Sequence, residues 1–240
     1  MILRPLFLSR VGCLLGLIVF PFFADQFYIQ FASKVLIMAI LASSLNLLVG
    51  YTGLVSLGHA AFYGLAGYAI AIATTQYAIT GFWINLFVSL TVTSIIGFFI
   101  GALVIRTRGI YFIMVTLAFA QLLFFIFHDT DIAGGSDGIY IYQIPQVTFF
   151  GYNALNLSNP TEFYFLSLII FILVIFSIDK ITKSLFGQVI SGIKINESRV
   201  ESLGFQAKYY KLTCFVISSF IAALAGFLAA LQFGLVNPDM

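Results

Sequence analysis

Residues 82–105 read FWINLFVSLTVTSIIGFFIGALVI, a run of 24 residues without one charged side chain. A membrane span needs roughly 17–25 mostly apolar residues. Lipid offers open backbone no hydrogen-bond partner, so a spanning segment is a helix or a strand of a closed barrel. A barrel strand takes about 10 residues of alternating hydrophobicity, and this run neither alternates nor stops there. It predicts a transmembrane helix.

Working outward, six further stretches fit the same description: Leu6–Ala24, Lys34–Val49, Leu57–Thr75, Ile110–Phe127, Phe163–Ile178 and Leu212–Gly234. The chain as a whole is 61% hydrophobic and 8% charged, against about 45–50% and 25% in soluble domains. A soluble domain must cover its surface with polar side chains and a lipid-facing one need not, so the excess reports the solvent. The expected fold is an all-α, polytopic transmembrane helical bundle of about seven spans, with the membrane lipid as its main surroundings. The N-terminal segment has Arg4 and Arg10 ahead of an apolar run, as a signal peptide does. Phe22-Phe23-Ala24-Asp25-Gln26 is a poor cleavage site, and the segment reads as an uncleaved first span.

Lys and Arg collect in cytoplasmic loops. With the N-terminus inside and strict alternation, Arg4, Arg10, Arg106, Arg108, Lys180, Lys183, Lys194, Arg199, Lys208 and Lys211 are cytoplasmic and Lys34 alone is outside, ten of the eleven basic residues. A net charge of +2 with dispersed basic residues argues against nucleic-acid binding. Cys13 and Cys214 lie apart in apolar stretches, which indicates neither a disulfide framework nor a metal site. There is no phosphate-binding glycine loop and no His-Glu-x-x-His, so the chain has no nucleotide or zinc motif of its own. Gly134-Gly135-Ser136-Asp137-Gly138 matches the G-x-S-x-G of hydrolases, but no histidine follows Ser136 and no strand-to-helix turn surrounds it. An ordered glycine loop at the outer mouth is the better reading.

Two segments carry the polar exceptions. Between the second and third spans, Asn46 is followed by Gly50, Gly53, Ser56, Gly58 and His59. Irregular backbone at membrane depth is tolerated only against protein or a water-filled cavity, so these residues either line a translocation path or form a tight cytoplasmic turn with glycines for close packing. His59 either acts on a substrate or proton or hydrogen-bonds a neighbouring helix, and Asn46 has the same interhelical alternative. The second segment is the cytoplasmic loop of residues 179–211. It holds an amphipathic helix from Ser184 with apolar positions at Leu185, Val189 and Ile193, then a short helical turn from Glu197 that ends at Gly204. Its mixed charges, Lys194, Arg199 and Lys208 beside Glu197 and Glu201, suit docking to a protein better than to lipid. Gly12-x-x-x-Gly16 and Gly97-x-x-x-Gly101 are pairs that let helices approach closely, within the chain or against a partner.

Asn46–Phe62, Arg106-Thr-Arg-Gly-Ile-Tyr-Phe112, Gly134–Gly138 and Phe186 through Leu212, in that order, resemble the LivM family, permeases of branched-chain amino acid ABC importers. Ala133 departs from the Thr expected before the double glycine. The resemblance implies a single transmembrane permease domain over 1–240, incomplete at its C-terminus because family members continue with further spans. It implies a multi-pass subunit of the bacterial inner membrane that is not itself an enzyme and binds no cofactor, ATP being held by partners. Those partners are a homologous second permease subunit, two cytoplasmic ATPase subunits and an external substrate-binding protein. By the same resemblance, Phe186, Gly187, Asn196, Glu197, Glu201 and Gly204 are ATPase-coupling positions, Gly134–Gly138 face the binding protein, and the 46–59 break faces the path. Carriage of urea or short amides, and gradient-driven transport, are the alternatives.

Overall fold

The computed structural model describes residues 15–130, 133–143, 145–149 and 152–238. Residues 6–14 of the first expected span, Leu6–Ala24, with Arg10, Gly12 and Cys13 among them, fall outside this range, as do Arg4 and Asp131. Residues 15–19 are helical and run into a turn at Phe20–Phe22. Eight helices follow: α1 (Gln26–Asn46), α2 (His59–Thr75), α3 (Phe82–Val104), α4 (Ile110–Asp129), α5 (Pro160–Lys183), α6 (Leu185–Ile195), α7 (Glu197–Ser202) and α8 (Ala207–Phe233). With α1 continued to Thr52, five of them are long and apolar enough to cross a membrane, and α2 is an apolar helix of 17 residues with most of its length buried. The protein is an all-α polytopic membrane bundle.

The expected limits are exceeded most clearly at α1 and α5, and α8 also begins ahead of the expected Leu212, at Ala207. The expected start at Lys34 is eight residues inside α1, because the polar first turns are satisfied by tertiary contacts. Lys34 Nζ lies 5.2 Å above the Phe233 ring, and Gln232 Nε2 donates to Gln30 O at 2.7 Å. α5 extends beyond Phe163–Ile178 at both ends. Asn159 caps it by accepting from Thr161 N at 3.1 Å, Pro160 occupies the first turn, and Lys180 and Lys183 sit in the last turn, where cations favour the helix dipole.

α8 is the central post. Its buried face is built of small residues, Ala222, Ala223, Ala225, Gly226, Ala229 and Ala230 among them, so backbones approach closely. A Cβ at Gly226 would strike the Tyr63 carbonyl of α2. Gly97 and Gly101 of α3 serve the same end: a Cβ there would meet Ser219 and Phe215 of α8. That pair is therefore a packing seam inside this chain.

The connections separate by end. At one end, Gly138–Tyr140 reaches the segment after α8, pairing Ile139 with Val236 and Tyr140 with Leu235 (strands β1, Ile139–Tyr140, and β4, Leu235–Val236). A hairpin of β2 (Val147–Phe149) and β3 (Tyr152–Leu155) lies in the same loop. At the other end, the C-terminus of α1, the start of α4 and all of α6 and α7 gather at the start of α8. This second end holds Arg106, Arg108, Lys194, Arg199, Lys208 and Lys211, six of the ten residues assigned to one side by the charge rule.

Candidate functional site

α1 does not stop at Asn46. It widens into a π-type turn over Leu47–Thr52, closed by Gly53 in the left-handed region at φ 75°, where glycine has no steric penalty. Thr52 Oγ1 donates back to Leu48 O. Asn46 folds over Gly50 so closely that a Cβ at Gly50 would overlap its Oδ1. Residues 54–58 then run to α2, with Leu57 N donating to Thr116 Oγ1 of α4 at 3.3 Å. Gly58 presses on α4 so tightly that a Cβ would strike the Thr116 carbonyl. The glycines of the break thus have defined packing duties. Ser56 Oγ, beside them, is buried and has no hydrogen-bond partner among the described residues.

His59 opens α2 and is 4% exposed. Its Nε2 lies 2.7 Å from Ser44 Oγ of α1 and 3.5 Å from Ser218 Oγ of α8. The Ser44 hydroxyl proton goes to Leu41 O and the Ser218 hydroxyl proton to Ser44 O, each at 2.6 Å. Each hydroxyl has one proton, so the His59 ring nitrogen Nε2 is the donor. The histidine joins three helices where the break meets the bundle. His59→Ala leaves this cluster without its donor and is expected to cost about 1–3 kcal/mol, read as a fall in thermal unfolding temperature in detergent with the fold retained.

α6 and α7 form an elbow against this break. Ser184 caps α6, accepting from Gly187 N at 3.3 Å, and a Cβ at Gly187 would meet the Thr182 carbonyl. Asn196 caps α7, accepting from Arg199 N at 3.0 Å. α7 ends as its sequence predicts. Gly204, at φ 90°, donates to Glu201 O at 2.9 Å and Phe205 N to Val200 O at 3.3 Å, the paired bonds of a Schellman stop. The apolar stripe is shifted from the expected one: Phe186, Ile190 and Ile193 pack inward, Phe186 stacking on Tyr210 at 5.6 Å. Leu185 is instead 80% exposed, together with Ile195 and Leu203.

The charges divide in the same way. Glu197 turns inward, its carboxylate 2.7 Å from Lys211 and 3.6 Å from Arg108. Lys194 Nζ reaches the break itself and donates to Gly50 O at 2.6 Å, its stem lying against Gly53. Glu201 remains exposed. Lys194, Lys211, Ser44 and Ser218 were not singled out from sequence as site residues. Their partners lie up to 174 residues away, and in the Lys194 bond the acceptor is a carbonyl that any residue could supply.

The outer glycine loop is docked on its own chain. Gly134, Gly135 and Gly138 all have positive φ, and a Cβ at Gly138 would strike Val236 O. Ser136 and Asp137 are exposed, Ser136 Oγ donating to Asp137 Oδ1 at 3.3 Å. Among the described residues no cluster of His, Cys, Asp or Glu is arranged to hold a metal.

A bundle of long apolar helices, one of them broken at glycines and tied to an elbow of two short helices, is that of a multi-pass membrane protein. The chain belongs to the family described as branched-chain amino acid transport system / permease component, whose model matches residues 27–240. It is 30% identical to the high-affinity branched-chain amino acid transport system permease protein LivM of Escherichia coli (strain K12), over 97% of this chain and 59% of that protein. It is also 30% identical to the protein of the same name from Salmonella typhimurium (strain LT2), over 92% of this chain and 56% of that one. The chain thus spans somewhat over half the length of these relatives. No solved structure matches it.

Proposed function

We propose that this chain is a membrane-spanning permease subunit of an ATP-driven importer that carries branched-chain amino acids across the bacterial inner membrane. It works with a homologous second permease, two cytoplasmic ATPases and an external binding protein, and ATP is hydrolysed on the ATPases. The observation that carries this reading is the elbow: α6 and α7 expose Leu185, Ile195 and Leu203 while Lys194 ties them to the broken end of α1. Exposed apolar side chains beside Glu201 and Arg199 suit a protein groove, with an apolar centre and a charged rim. The pairing of Lys194 with a glycine carbonyl gives any movement of that docked elbow a route into the bundle. The branched-chain amino acid transport for which the relatives are named supports the choice of substrate.

The test is co-isolation followed by uptake. The purified chain is expected to bring down an ATPase and a second permease, and vesicles with these subunits, binding protein and internal ATP are expected to accumulate leucine. Urea that competes fully with leucine, or uptake that follows a proton gradient and ignores ATP, would overturn the proposal.

A further inference from the structure

Two features outside the elbow remain unaccounted for, and they coincide. α2 is buried along most of its length, yet one strip of it, Ala60, Ala61 and Gly64, is left open. These small side chains floor a groove of about 230 Å³ whose wall is α4, through Leu117, Ala120 and Gln121. The groove runs from Leu57, in the glycine break, to Pro238, beyond the outer end of α8. It therefore leads from the outer end of the bundle to the broken helix.

Gln121 is the second feature. It lies near the middle of α4, is exposed, and takes no hydrogen-bond partner among the described residues. An amide turned towards lipid at that depth would be left with unsatisfied donor and acceptor groups, and polar side chains within spans face the bundle interior or a water-filled cavity. This face of α2 and α4 is thus not a lipid face. The groove is small beside the roughly 300–1,000 Å³ of ligand clefts, its walls are mostly apolar, with Gln121 and Tyr68 their polar side chains, and it is open to one side. Those features fit one small zwitterion with an aliphatic side chain, the chain lying on Ala60 and Gly64 and the polar head taking the Gln121 amide. A primary amide can donate to a carboxylate and accept from an ammonium group, so one side chain serves either end of the head.

The geometry points to the α2–α4 groove as this chain's part of the translocation path, with Gln121 as the residue that holds the polar head of an aliphatic amino acid in transit. The inference rests on the permease reading above. It is distinct from the 46–59 break, which lies at the groove's inner end.

The test uses the full complex with its second permease, ATPases and binding protein, and leucine as the probe. Gln121→Leu keeps the apolar surface and is expected to lower the maximal uptake rate about tenfold, the loss of one hydrogen bond to a charged group. Gln121→Asn is expected to restore most of it, and ATPase activity and subunit composition should not change. Uptake by Gln121→Leu equal to that of the unaltered complex would overturn the inference. So would loss of the second permease from the Gln121→Leu complex, because the groove would then be a seat for a partner helix. If the unaltered complex carries no leucine with ATP supplied, the permease reading itself fails, and that result is read before any variant is compared.

Discussion

Lys194→Met is expected to lower ATP-driven uptake on the order of tenfold while the assembled complex continues to hydrolyse ATP. The reason lies in one bond. Lys194 Nζ donates to Gly50 O at 2.6 Å, and Gly50 sits in the π-type turn where α1 has already left regular helix. A carbonyl freed from the helical ladder needs a donor, and the lysine supplies it from a different element 144 residues away. Methionine keeps an apolar stem of similar reach against Gly53, so the packing that Lys194 also provides is largely preserved. Only the donor is lost. Coupling free energies between sites usually amount to about 1–3 kcal/mol, or 5–150-fold, which sets the size of the effect. Uptake and phosphate release measured on the same vesicles separate the two quantities, and Lys194→Arg, which retains a donor, should recover part of the uptake. Equal loss of both activities would mean that Lys194 only holds the fold.

The largest effect on stability is expected at Glu197. Lys211 has a side chain 8% exposed and Glu197 one 24% exposed, with 2.7 Å between their charges. Glu197→Ala strands the ammonium in a desolvated position, and breaking a buried pair from one side costs roughly 3–5 kcal/mol. Arg108 is 72% exposed and 3.6 Å away, so its share is that of a surface pair, roughly 0–1 kcal/mol. Arg108→Ala is therefore the control with little effect. Replacing both partners, as in Glu197→Gln with Lys211→Met, removes the stranded charge and should return much of the lost stability. Thermal unfolding of these three variants and the unaltered protein in detergent reads the whole pattern. A loss from Glu197→Ala no larger than that from Arg108→Ala would contradict it.

The sequence made the bundle legible because lipid selects composition so strongly that the apolar runs mark their own helices. It was weaker at helix ends. Lys34 and Gln30 look like loop residues until Phe233 and Gln232 are beside them, and nothing local signals such distant partners. Capping chemistry was readable where it is local, as in the stop at Gly204. The face of α6 was misread at Leu185, since the apolar arc of this 11-residue helix, from Leu185 through Val189 and Ile193 to Phe186 and Ile190, is wider than the strip it buries. Here the stack of Phe186 on Tyr210 decides which one. The glycine break was visible, but its meaning was not, because the contacts that explain Gly50, Gly53 and Gly58 come from Asn46, Lys194 and Thr116.

The account turns on the elbow of α6 and α7 as the surface on which an ATPase docks. Photo-crosslinking from single positions in the assembled complex tests this directly. Probes at Leu185, Ile195 and Leu203 are expected to capture the ATPase subunit, and a probe at Leu173 in the middle of α5, 58% exposed, is expected to capture none. An intact complex in which none of the three elbow positions reaches the ATPase would contradict the account.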